Sequence, residues 1–198
     1  MLNALLYDCE VARCIPDPKK PSDPTLEYCA GWSDFEGMGL SVVALFDFYE
    51  RRHRVFFGDS GFDAFAHLVD EREHIIGFNS ISFDDRVCAA AGIRVSTTYD
   101  LLCEARVAAG RTPHYVKGET HAGFSLNNLV NLNWPGLAKN GDGARAPELW
   151  QRGKTWEVID YCMCDVWLTQ LLFGLRECMV VPDSNGGVKT ERLRPFPK

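Results

Sequence analysis

Ala4-Leu5-Leu6-Tyr7-Asp8-Cys9-Glu10, near the start of the 198-residue chain, is the stretch on which the fold turns. Four apolar residues run into a carboxylate, the pattern of a central strand that ends at a site. Side chains alternate across a strand, so Asp8 and Glu10, two positions apart, share one face. Two carboxylates held that close repel each other and are costly unless a cation stands between them. Taken alone, the pair has a plainer reading: Asp8 faces inward and Glu10 lies past the strand end in solvent.

Working outward, residues 40–49 are rich in β-branched and aromatic side chains. Arg51-Arg52-His53-Arg54 is polar and Val55-Phe56-Phe57 is apolar again, which predicts a hairpin turning at the arginines. Phe62, Phe65, Ala66 and Val69 have helical spacing. Ile75-Ile76-Gly77-Phe78 predicts a short buried strand leading into Asn79, and residues 84–91 a helix that stops before Gly92. Residues 95–99 read as a further strand, with Asp100 capping a helix to about residue 109. A polar loop over 110–124, a helix capped by Ser125, a tight Lys139-Asn140-Gly141-Asp142-Gly143 loop and a long helix over 155–176 complete the order. A strand, a hairpin and then alternating strands and helices predict an α/β domain: a mixed sheet with helices on its faces. Four prolines within 15–24 mark a surface excursion. The expected organisation is one domain over 1–182 and a weakly patterned tail over 183–198.

Composition narrows the function classes. Hydrophobic residues are 46% and charged residues 24%, ordinary globular usage that excludes a disordered or collagen-like chain. No apolar run approaches the ~20 residues of a membrane helix. Lys and Arg number 21 against 27 Asp and Glu, a formal charge of −6, so overall charge does not draw the protein to a polyanion. Local basic groups or bound cations would have to do so. The eight cysteines include no Cys-x-x-Cys pair, which disfavours a structural zinc protein and suits reduced thiols in the cytoplasm. The N-terminus has no basic region and its apolar run stops at Asp8, so no signal peptide is read.

Two further acidic motifs follow the first. Asn79-Ser80-Ile81-Ser82-Phe83-Asp84 joins the predicted strand to a helix, placing Asp84 near a helix start. Its plainer reading makes Asp84 a helix cap, Asp85 a solvated residue and Asn79 the brace of an Asx turn. Tyr161-Cys162-Met163-Cys164-Asp165 sits on the long helix, where Tyr161 and Asp165, four apart, project from one face. Asp165 lies in a largely apolar run and needs a partner; Asp160 lies one position off that face.

Together, Asp-x-Glu on a first strand, Asn-x-x-x-Phe-Asp after a middle strand and Tyr-x-x-x-Asp on a late helix are far more specific than any one of them. Over residues 3 to about 176 the chain resembles the DEDDy branch of the DnaQ-like 3′–5′ exonucleases. The matching residues are Asp8 and Glu10, then Asn79, Phe83 and Asp84, then Tyr161 and Asp165. Cys9 stands where an apolar β-branched residue or Thr is more usual. The resemblance implies an RNase H-like fold, with a five-stranded mixed sheet, its first three strands antiparallel, and helices on both faces. It implies two divalent cations, Mg²⁺ or Mn²⁺, held by Asp8, Glu10, Asp84 and Asp165, with Tyr161 orienting the attacking water. It further implies hydrolysis at the 3′ end of single-stranded nucleic acid, with DNA slightly favoured over RNA, and separate replication or repair proteins as partners. Asn79, Phe83, Lys139, Lys117 and Arg111 are the expected substrate contacts, with His114 and His121 nearby in the loop and Trp32, Phe35 or Phe124 available for base stacking. The competing readings are an RNase H-like endonuclease and a nucleic-acid-binding module of the same fold that does not cleave.

Overall fold

The computed structural model describes residues 2–19, 21–116, 123–139, 141, 143–183 and 185–197. In chain order they form β1 (Ala4–Val11), α1 (Phe35–Met38), β2 (Leu40–Asp47), β3 (Arg52–Phe56), α2 (Asp59–Asp70), β4 (His74–Gly77), α3 (Asp84–Ala90), β5 (Tyr99–Asp100) and α4 (Leu101–Ala108). Then follow α5 (Leu126–Asn133), α6 (Ala146–Gln151), α7 (Thr155–Gly174), β6 (Met179–Pro182) and β7 (Val188–Glu191). The first five strands make one mixed sheet in the order β3-β2-β1-β4-β5. β1–β2 and β2–β3 pair antiparallel, while β1–β4 and β4–β5 pair parallel. The expected α/β class with a mixed five-stranded sheet is what forms.

β1 is central and covered on both faces, which is why it reads as a nearly unbroken apolar run. Ala4 and Leu6 pack into the layer holding Leu102, Leu129, Val158, Leu168 and Leu172, under α4, α5 and α7. Leu5, Tyr7 and Cys9 pack into the opposite layer with Phe65, Leu68, Val87 and Cys88, under α2 and α3. Each fully buried leucine in these layers contributes about 1.5–3 kcal/mol relative to exposure. The alternation puts Asp8 and Glu10 on the Ala4–Leu6 face, toward α7.

The hairpin turns earlier than the arginines suggest. Arg52 and Arg54 belong to β3, and the turn falls at residues 48–51. Asp47 makes that turn by accepting the Tyr49 and Glu50 amides at 2.9 and 3.1 Å. Arg52 and Arg54 both pair with Glu50, which lets cations sit on an edge strand. The strand expected over 95–99 shrinks to Tyr99–Asp100 because side chains replace its ladder. The Thr98 hydroxyl bonds the Ile75 amide and carbonyl, and the Thr97 amide donates to Asp85.

Within the expected tail, residues 188–196 pack against the domain. β7 pairs with β6, and Leu193 is buried with its amide on the Arg176 carbonyl at 2.8 Å. Phe196 joins a ring cluster with His74, Tyr99 and Phe173. Isolated apolar residues do this anchoring, so no periodic pattern announces it. Among the described residues no helix is long and apolar enough to cross a membrane, and none of the eight cysteines is in a disulfide.

Candidate metal centre

Each acidic motif reaches the carboxyl ends of β1 and β4 by a different local device. On β1 the strand pleat does it. On α7 the helical repeat does it: Tyr161, Cys162 and Asp165 are buried toward the sheet, and the Cys162 thiol touches the Asp8 carbonyl and carboxylate at 3.4 and 3.5 Å. Asp84 depends on a tight turn after β4. A Cβ at Gly77 would lie 2.1 Å from the Ser80 hydroxyl oxygen, so only glycine lets that turn close. Asn79 follows with φ 64°, a conformation its short polar side chain tolerates. The Asp100 carboxylate holds the turn, accepting the Asn79 and Ile81 amides at 2.9 and 3.2 Å while capping α4 through Leu102 and Cys103. α3 therefore starts with Asp84 turned inward, its Oδ1 accepting the Cys9 amide at 3.0 Å. The plainer readings of Asp84 and Asp85 do not survive. Phe83 occupies the cap position, and Asp85 binds the Tyr7 hydroxyl at 2.5 Å and both Thr97 donors.

The result is a cleft of about 920 Å³ lined by Asp8, Glu10, Asp84, Tyr161 and Asp165, together with Asn79, Phe83 and Lys139. Asp8 and Glu10 in its wall, with Cys162 buried behind them, offer three ligand atoms within 4.8 Å of one another. Asp84 and Asp165 line the same cleft outside that tight group, one drawn to the Cys9 amide and the other to Lys139. The Lys139 ammonium is 2.5 Å from Asp165 Oδ2 and 4.9 Å from the centre of the Tyr161 ring. Gly141 and Gly143 let the loop lie over that ring. A Cβ at either would come within 2.9 Å of the Tyr161 ring carbon Cδ2 or 3.1 Å of its hydroxyl.

Negative charge exceeds what the protein itself neutralises. Burial, and then the neighbouring Asp84, Asp165 and Glu10, push the Asp8 carboxyl well above the usual range. Burial and the charges of Asp165 and Asp84 do the same to Glu10. Burial raises Asp84 to about 7 even though its hydrogen bonds from Cys9 pull the other way. Burial also raises Asp165, against the opposing pull of Lys139. Burial and the adjacent carboxylates hold the Tyr161 hydroxyl protonated, and burial with Asp8 does so for the Cys162 thiol. Among the described residues, Asp165 Oδ1 is buried without a hydrogen-bond partner and one lysine stands against four acids, a deficit that hard cations would fill.

Not every expected contact is brought here. Arg111 does not line the cleft. The guanidinium that does is Arg106, which follows cleft-lining Leu102 by one helical turn on α4. His114 instead lies 3.7 Å from the Cys103 sulfur. Lys117 and His121 lie outside the described residues. Trp32 and Phe124 line the cleft and Phe35 does not. Cys162 and Arg106 were the residues sequence reasoning missed. Cys162 was legible as the residue three before Asp165, and Arg106 only once the phase of α4 was known. No family model matches the chain, and a search of curated proteins finds no match.

Proposed function

We propose that this protein is a metal-dependent 3′–5′ exonuclease with an RNase H-like sheet, hydrolysing the terminal phosphodiester of single-stranded nucleic acid. The observation that carries the reading is the convergence of four carboxylates, three of them buried, from three distant stretches on one cleft that holds a single lysine among the described residues. The central position of β1 and the place of the cleft at the carboxyl ends of parallel strands support it, since open α/β sheets bind ligands there.

The donor set fits divalent cations. Four carboxylates are hard oxygen ligands suited to Mg²⁺ or Mn²⁺, and Asp165 Oδ1 is a buried acceptor without a hydrogen-bond partner among the described residues. Asp8, Glu10, Asp84 and Asp165 would hold the ions, with the Asp8–Glu10 pair as the core. Bound there, such ions would activate water and stabilise charge on the leaving oxygen. Tyr161 acts as a donor that positions the attacking water, because its hydroxyl keeps its proton in this surrounding. Cys162, protonated, steadies Asp8 by hydrogen bond rather than serving as a thiolate ligand. Lys139 neutralises Asp165 and screens the approach of phosphate. Asn79 and Phe83 form part of the wall along which the strand end enters.

The test is incubation with a 5′-labelled single strand in Mg²⁺ or Mn²⁺ and in EDTA. A ladder of progressively shorter products that requires metal is the expected result. A single internal cut would make the protein an endonuclease, and binding without cleavage would make it a binding module.

A further inference from the structure

Two cleft-lining side chains outside the carboxylate cluster, Trp32 and Arg106, carry chemistry of their own. The first is Trp32, between the Pro-rich segment and α1. Its indole is 71% exposed and still lines the cleft, meeting the Phe83 ring edge-on with centroids 6.3 Å apart. The backbone beneath it is fixed. Asp34 accepts the Ala30 amide at 2.7 Å and the Gly37 amide at 2.9 Å, and the Asp34 amide donates to the Gly31 carbonyl at 3.0 Å. The excursion itself is fastened to α6. Gln151 bonds the Ala12 and Glu27 carbonyls and the Glu27 amide, and Arg152 pairs with Asp23 at 3.1 Å. A tryptophan at the surface is by itself ordinary. Trp156 is 77% exposed and lies outside the cleft. Trp32 differs in lying at the mouth of an acidic site, against the Phe83 ring.

The second is Arg106. It donates to the Pro113 carbonyl at 3.2 Å, its Nε is buried without a partner, and no carboxylate among the described residues pairs with it. Lys139 is already engaged by Asp165, so among the described residues Arg106 is the cleft cation left to meet an anion. A guanidinium is suited to that, being always charged and geometrically matched to phosphate.

We propose that Trp32 and Arg106 form a strand-holding subsite that works without metal, Trp32 stacking a nucleobase and Arg106 taking a backbone phosphate. An aromatic platform beside a cation is the chemistry of single-strand binding, and it tolerates any base because every base has a flat face. The inference rests on the proposed reading for its nucleic-acid substrate but not on cleavage.

The experiment measures binding of a 5′-fluorescein oligothymidylate by anisotropy in EDTA, over roughly 50 to 200 mM salt. Trp32→Ala should weaken binding by roughly five- to a hundredfold, with Trp32→Phe restoring most of it. Trp156→Ala should bind as wild type does. Arg106→Ala should weaken binding and lower the slope of log Kd against log salt by about 0.7, the share of one single-strand phosphate, and Arg106→Lys should keep the slope. Failure of the wild type to bind in EDTA, or wild-type binding by Trp32→Ala and Arg106→Ala, would overturn the subsite. Binding with these dependences but no metal-dependent shortening leaves the subsite standing and removes the exonuclease. Metal-dependent shortening with binding indifferent to both residues does the reverse.

Discussion

Asp47 and Asp8 stand toward opposite ends of the same pair of strands, with Asp47 facing Leu5 and Asp8 facing Ala44 across the β1–β2 ladder. Both are acids within the body of the protein, yet their surroundings differ. Asp47 accepts from the Tyr49 and Glu50 amides, and Arg72 reaches it through Nε at 3.3 Å and a terminal nitrogen at 2.8 Å. Burial alone would raise its pKa, but the Arg72 contact and the two amides outweigh that and hold it below the usual range. At the other end Asp8, Glu10, Asp84 and Asp165 share Lys139 and are all raised. A carboxylate that serves the fold arrives with its own cation and donors. A carboxylate cluster that arrives without them is arranged for something not covalently part of the chain.

The sharpest break of this comparison is a pair of substitutions. Asp8→Ala should lower metal-dependent strand shortening by at least about a thousandfold, since the ions supply several kcal/mol and each 1.36 kcal/mol is tenfold. Its metal-free melting temperature should be unchanged or higher, because a repelled charge is gone. Asp47→Ala should do the opposite. Equilibrium unfolding should show a loss of about 1–3 kcal/mol, because Arg72 and the Tyr49 and Glu50 amides lose Asp47 while Arg72 keeps Glu50 and Glu71 beside it, with activity per folded molecule retained. If Asp8→Ala unfolds the protein and Asp47→Ala does not, the contrast is wrong.

Tyr161→Phe should slow cleavage by about ten- to a hundredfold without abolishing it, the scale of a misplaced reactant. A wild-type rate in that variant would remove the hydroxyl from the chemistry.

Stability against pH should separate the two ends by sign. Cleft acids with raised pKa hold protons in the folded state that the unfolded chain has released. Metal-free stability therefore falls as pH rises from about 4 through about 7, the value to which Asp84 is raised. Asp47, with its lowered pKa, contributes stability that is present above the ordinary carboxylate range and lost only in more acid solution. Thermal melts in EDTA should show the decline toward neutral pH, and melts in saturating Mn²⁺ should not. A metal-free curve that climbs across that window would contradict the excess of unneutralised acid.

The smallest expected effect is that of Lys139→Met. Removing the internal cation should lower the metal-free melting temperature by a few degrees and tighten Mn²⁺ binding by about tenfold or less, the scale of one partly exposed ion pair. Calorimetric titration with Mn²⁺ checks the second part, and weaker binding would show that Lys139 helps hold the ions rather than replacing them.

How far the sequence reveals this arrangement depends on whether each residue acts through a local repeat. Asp8 and Glu10 are legible from strand alternation and Tyr161 and Asp165 from the helical turn, because backbone geometry alone puts each pair on one face. Asp100 as the cap of α4 and Ser125 as the cap of α5 are legible for the same reason. Asp84 is harder. Its inward aim depends on Gly77, on the left-handed Asn79 and on the Asp100 carboxylate twenty-one residues away from Asn79. The hairpin turn was misplaced because cations on an edge strand look like a loop until Glu50 is seen to pair with them. Phe196 and Leu193 were hidden because single apolar residues packing at a distance leave no period to detect. Arg106 lay beyond reach because which side of α4 meets the cleft is a matter of tertiary packing.

The central claim is that the missing partner of the four carboxylates is a pair of divalent cations. Anomalous diffraction from crystals soaked in Mn²⁺ measures this directly. The account predicts two anomalous peaks in the cleft, within ligand distance of Asp8 and shared among Glu10, Asp84 and Asp165. A cleft without manganese at saturating concentration, with the four acids still in place, would contradict it.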